Sequence, residues 1–83
     1  MKRILQSTQQ KIVRDILRRE TISLVERKPG HTTGDLAYGW FQAIRPWRKI
    51  GQVEAALRLG EILRELEIEG IVRREDRKWY PAE

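Results

Sequence analysis

The chain has 83 residues, a net charge of +5 and no cysteine, which points to a single small domain over 1–83 whose core leaves only about 3 to 5 kcal/mol of net stability. Disulfides and thiolate metal sites are excluded, and one histidine cannot build a metal cluster without several carboxylates converging on it, so no cofactor is expected. No apolar run approaches the roughly 18 residues of a membrane span, and MKRILQSTQQ turns polar before a signal-peptide core could form, so the expectation is a soluble, cytoplasmic protein with no membrane partner.

Ser7 or Thr8 can cap a first helix, expected over about residues 8–27. In it Ile12, Val13, Ile16, Leu17 and Leu24 recur at helical spacing while Lys11, Arg14, Arg18 and Arg19 fall mostly on other faces. Ile22 and Val25 lie off that stripe, and Ser23 with Glu26 matches a capping box, so the pattern leaves open a break near Glu20 and a restart. Lys28, Pro29 and Gly30 then end the helix, because proline lacks a donor and glycine turns left-handed readily.

Thr32 can cap a second helix, with Asp35 three residues on reaching back to complete a capping box. Leu36, Ala37, Trp40, Phe41 and Ile44 form its apolar face, and Pro46 disfavours helical geometry at Arg45, which predicts a helix over 33–44. A third helix is predicted over 51–69, with Val53, Ala56, Leu59, Leu63 and Leu66 on one wide stripe and Gly60 where another backbone could approach closely. Glu54, Arg58, Glu61 and Glu65 are expected opposite that stripe. Gly70 closes the helix, and Ile71 to Arg74 and Lys78 to Tyr80 read as two strands around a turn near Asp76 and Arg77.

Three helices followed by a hairpin make a mainly α fold in which the second and third helices sit across a short turn, the layout of a helix-turn-helix with a wing. At KPGHTTGDLA, LRELEIEGIVRRED and RKWYP the chain resembles the winged helix-turn-helix regulators of bacteria and archaea, over roughly Gln9 to Pro81. The resemblance implies a winged helix-turn-helix of three helices plus a C-terminal wing, binding double-stranded DNA as a small transcriptional regulator or a mobile-element accessory factor. It implies further that Gln52, Ala55 and Arg58, opening the third helix, face the major groove. Arg73, Arg74, Arg77 and Lys78 of the wing would meet the backbone or minor groove, and Thr32 and Thr33 would donate to phosphate. Gln52 can pair bidentately with adenine and Glu54 can accept from cytosine. Winged helices on palindromic sites are usually paired, so a homodimer is a further expectation.

The distribution of charge complicates this picture. Residues 1–49 carry +7, residues 50–70 carry −3 and residues 71–83 carry +1. Cationic excess attracts polyanions, whereas carboxylates aimed at phosphates oppose binding. Glu61, Glu65, Glu67 and Glu69 of the third helix, after Arg58, therefore lie outside any DNA footprint or belong to a different kind of partner. The alternative is a winged-helix protein-interaction module that docks another chain on the acidic face of this helix, or on Ile4, Leu5, Ile22 and Val25.

Arg48 and Lys49 beside Trp47 suit a phosphate clamp, against the simpler reading of Trp47 as packing over the junction between the second and third helices. Trp40 and Phe41 at helical spacing read as core rather than as a ligand pocket. Trp79 and Tyr80 alternate along a strand, so one packs inward and the other is exposed. His31, alone in a loop, reads as solvated. Without a Ser/His/Asp set, a phosphate-binding glycine loop or converging carboxylates, no enzymatic activity is expected.

Overall fold

A computed structural model of the chain describes the backbone of residues 2–46 and 49–82 and the side chains of residues 11–46 and 49–82. The chain forms α1 (Lys2–Arg27), α2 (Thr33–Ile44), α3 (Gln52–Ile68), β1 (Val72–Glu75) and β2 (Lys78–Pro81). The strands pair antiparallel, with Val72 opposite Pro81, Arg73 opposite Tyr80, Arg74 opposite Trp79 and Glu75 opposite Lys78. Among the described residues no helix is long and apolar enough to cross a membrane.

The first helix differs from expectation at both of its uncertain points. It begins at Lys2, so Ser7 and Thr8 lie inside it rather than capping it, and it runs unbroken through Glu20. Nothing between Lys2 and Arg27 is Gly or Pro, so the chain has no backbone reason to stop. Tertiary packing then chooses the face: Leu17, Thr21, Leu24 and Val25 are buried, while Ile12 and Val13 stay exposed. Thr21 sits at the centre of this stripe, and its hydroxyl donates to the Leu17 carbonyl at 2.7 Å and accepts from the Trp40 indole at 2.8 Å. A polar residue is thereby buried with every hydrogen bond made, which removes the cost of desolvating it.

α2 starts as read. Thr32 Oγ1 accepts from the Asp35 amide at 3.1 Å, and the Asp35 carboxylate accepts from the Thr32 amide at 3.3 Å. Leu36, Trp40 and Ile44 are fully buried. α3 packs Ala55, Leu59, Ile62, Leu63 and Leu66 inward. Two expected members of that stripe are corrected: Val53 is 77% exposed, and Ala56 is only half-buried. The reason is that α3 is apolar on two opposite sides, and periodicity alone could not say which one meets α1 and α2.

α3 ends in a Schellman motif. Gly70 adopts φ 78°, the Ile71 amide donates to the Leu66 carbonyl at 2.9 Å, and the Gly70 amide donates to Glu67 at 3.0 Å. This reversal sends the chain directly into β1. Asp76 and Arg77, both at positive φ (54° and 67°), form the two-residue turn between the strands, the arrangement whose twist matches a hairpin. The hairpin gains a third, single-residue neighbour that the sequence did not announce. His31 bridges Trp79, with the Trp79 amide donating to the His31 carbonyl at 2.9 Å and the Gly30 amide donating to the Trp79 carbonyl at 2.8 Å.

Leu63, fully buried among all three helices' apolar faces, is the natural probe of this core. Leu63→Ala is expected to lower the unfolding free energy by about 2 to 5 kcal/mol in urea titrations. A loss below about 1 kcal/mol would show that Leu63 is not a core position.

Candidate functional site

The acidic end of α3 is held by α1. Arg18 forks both Glu69 carboxylate oxygens, at 2.6 and 2.9 Å, and Arg14 donates to Glu65 at 2.9 Å. Both pairs have the same sequence offset, so Arg14 and Arg18, one turn apart, meet Glu65 and Glu69, also one turn apart, and the two helices run in the same direction there. Glu67 lies 3.9 Å from Arg74 of β1. Three of the five glutamates on this helix are therefore engaged within the chain, while Glu54 and Glu61 remain on its exposed surface.

The hairpin sorts its cations by strand alternation. On its inner side Val72 and Trp79 are buried, and the Arg74 guanidinium lies 5.4 Å from the Trp79 ring. On its outer side Arg73 stacks 4.4 Å from the Tyr80 ring and donates to Glu75 at 2.6 Å. Arg77 at the tip and Lys78 beside it are exposed and make no ion pair among the described residues. Arg77 also holds a left-handed backbone conformation that an L side chain occupies only at a cost of roughly 1 kcal/mol or more. Trp79 is the inward member of the Trp79/Tyr80 pair, with Tyr80 half-buried.

The expected contact residues fall into two groups. Arg73, Arg74, Arg77 and Lys78 share the hairpin, which packs near the closing end of α3: Trp79 and Arg74 line one groove with Gly60, Arg64 and Ile68. Lys49 and Gln52 are exposed at the opening end of the same helix and Arg58 is exposed nearer its middle, Gln52 lying about 24 Å from Ile68 along an axis rising 1.5 Å per residue. There α3 begins at Gly51 without a side-chain cap. Gln52 and Arg58 do not share a face, since six residues at about 100° each leave them roughly 120° apart. Ala55, expected at the groove, is corrected to core: it is fully buried. Thr32 caps α2, and Thr33 accepts the Trp79 indole N–H at 2.8 Å, so both hydroxyl oxygens already serve the fold. The expectations at Trp47 and Arg48 lie outside the described residues. Of the other docking candidates, Val25 is core and Ile22 packs against it, and the Ile4 and Leu5 side chains also lie outside the described residues. His31 is exposed, with Nδ1 3.1 Å from the Lys28 carbonyl.

One surface was not anticipated. Val53, Leu57 and Ile68 are 77%, 65% and 81% exposed and recur with Gly60 and Arg64 along the side of α3 opposite its buried stripe. The signal was present in the sequence as Val53, Leu57, Gly60, Arg64 and Ile68 at helical spacing, but it lay beside a stronger stripe. In comparisons with known proteins, no family model, no characterised protein and no solved structure matches this chain.

The Arg18–Glu69 fork predicts a pH dependence. The hydrogen bonds from Arg18 hold the Glu69 carboxyl below its ordinary range, and Glu69 raises Arg18 in turn. A carboxylate depressed on folding contributes stability that is complete above its unfolded pKa and is lost as pH falls through the folded one. The melting-temperature difference between wild type and Arg18→Ala is therefore expected to be largest near neutral pH and to close on acidification below the ordinary carboxylate range. A difference that stays constant over that range would mean the fork contributes nothing through charge.

Proposed function

We infer that the chain is a winged-helix domain that binds duplex DNA, holding the phosphate backbone with its hairpin as the wing. The observation that carries this reading is the hairpin tip. A two-residue turn of this kind favours glycine at its second position, yet here Arg77 stands there, exposed and at φ 67°. A side chain kept in a strained conformation at a projecting tip marks a site whose use outweighs its cost. Lys78 follows it, and Arg73, two residue pairs back along the hairpin, is oriented by Tyr80 and Glu75.

The α3 opening supports the same reading from the other end of the helix. Its uncapped N–H groups follow Lys49, an arrangement that favours an anion, and Gln52 is the residue on its first turn suited to an adenine edge. The capture of Glu65 and Glu69 by α1 removes much of the charge conflict, because those carboxylates are neutralised before any phosphate approaches. In this role the chain would serve as a small transcriptional regulator or mobile-element accessory factor.

The second reading, a protein-docking module, is favoured by the exposed Val53, Leu57 and Ile68. It moves from the acidic face of α3 to this apolar one, since the glutamates nearest the helix end are already occupied.

Replacing both Arg73 and Arg77 with Ala is expected to weaken binding to all duplexes alike and to flatten the logarithmic salt dependence by roughly one unit per lost contact. Gln52→Ala should instead relax preference at one base position by about 1 to 3 kcal/mol. Arg77→Gly separates the tip's two roles: stability should rise by up to about 1 kcal/mol as backbone strain is relieved, while duplex affinity falls. Wild-type affinity and salt slope in the double variant would overturn the DNA reading.

A further inference from the structure

We propose that the outward face of α3 is a self-complementary seam on which a second copy of this chain docks, the two α3 helices running antiparallel across a two-fold axis. The proposal goes beyond the DNA reading and does not rest on it, since Arg73, Arg77 and Lys78 lie on the hairpin, outside the seam.

A helix that is apolar on two sides buries both or exposes one. α3 buries Ala55, Leu59, Ile62 and Leu66 against the rest of the chain. Diametrically opposite, Val53, Leu57, Gly60, Arg64 and Ile68 occupy a stripe about 80° wide at 100° per residue. This stripe borders the groove of about 520 Å³ between α3 and the hairpin. Three large apolar side chains are exposed on one side of this helix, Val53 beside Leu57 toward its opening and Ile68 at its close, and clustered exposed apolar groups mark interaction surfaces.

The order of residues along the stripe selects the occupant. An isologous interface requires each residue to meet its counterpart by symmetry, residue i on j and j on i. With the axis passing between Gly60 and Glu61, Val53 of one copy faces Ile68 of the other at both ends of the seam. Leu57 faces Arg64, whose aliphatic stem can cover it, and the small residue Gly60 stands at the centre, where two backbones must come closest. Space is open there: a Cβ added at Gly60 would meet nothing nearer than Thr33 Cγ2 at 3.9 Å. The charges agree with the same register. Glu61 lies one turn from Arg64 of the facing helix, on both sides of the axis, and neither residue is ion-paired within its own chain among the described residues. Aligned in parallel, the helices would set Glu61 against Glu61 and Arg64 against Arg64. One helix pair buries less than the roughly 1,200 Å² of a standard interface, so the dimer is a weak, exchanging one.

Sedimentation equilibrium of the full chain from about 1 to 500 µM tests this, the range suited to an interface below standard size. Wild type should pass from the monomer to the dimer mass across that range, and Leu57→Glu should remain monomeric with an unchanged circular dichroism spectrum. Glu61→Arg and Arg64→Glu should each weaken self-association about tenfold or more through like-charge contacts, and an equimolar mixture of the two should recover it as a heterodimer. The loss in each single variant marks the antiparallel register, since parallel helices would already oppose like charges at both positions in the wild type, and recovery in the mixture shows that the loss was one of charge. A wild-type monomer throughout, a dimer indifferent to Leu57→Glu, or a mixture no better than its components would each overturn the proposal. So would a different protein occupying this face while the chain alone stays monomeric.

Discussion

Trp79 holds the last element of the chain to the rest. A pair of four-residue strands is marginal by itself in water, and this hairpin is anchored by one residue using every group it has. The Trp79 ring is buried in the core, and its amide and carbonyl pair with His31 and Gly30. Its indole N–H donates to Thr33, and Arg74 covers its face. The hairpin is thus tied to the junction between α1 and α2, not merely to α3, from which it emerges. That attachment sets the direction in which Arg73, Arg77 and Lys78 are presented and forms one wall of the groove beside α3. Thr33 serves this anchor before it serves any ligand.

The balance of charge is settled by packing in a similar way. On its own, the acidic end of α3 conflicts with the cationic surplus of the chain. Folding brings Arg14 and Arg18 onto it and converts like-charge crowding along one helix into cross-helix pairs. These pairs are largely at the surface, so their main effect is on register and on the field rather than on stability. What remains outward is cationic at several places, with Lys11, Arg19, Lys49, Arg58, Arg77 and Lys78 exposed and outside any ion pair among the described residues.

α3 therefore faces two ways. Its inner stripe belongs to the core. Its outer stripe carries Val53 and Leu57 toward the opening, Gly60 and Arg64 in the middle and Ile68 at the close, with Gln52 and Arg58 on opposite flanks. As proposed, duplex DNA would use the hairpin and the opening turn of α3, and self-association the stripe from Val53 to Ile68, so the two surfaces meet at that opening turn.

How much of this was legible from the residues depends on the range of the forces involved. The capping box of Thr32 and Asp35, the glycine stop at Gly70, the tight turn at Asp76 and Arg77 and the alternation of Trp79 with Tyr80 are set by backbone sterics and hydrogen bonds a few residues long, and they can be read in order along the chain. The existence of three helices and a hairpin follows from them. The sequence could not decide that α1 runs through Glu20, because Ser23 and Glu26 offered a competing local cap, and only burial of Thr21 and Val25 against α2 resolved it. Nor could it decide which side of α3 is core, since Val53 and Ala55 both fit an apolar period and differ only in what lies across from them. The destination of Glu65 and Glu69, the pairing of His31 with Trp79 and the burial of Ala55 likewise depend on residues distant in sequence. Those contacts arise only when the helices pack, and that packing determined which face of α3 was left exposed.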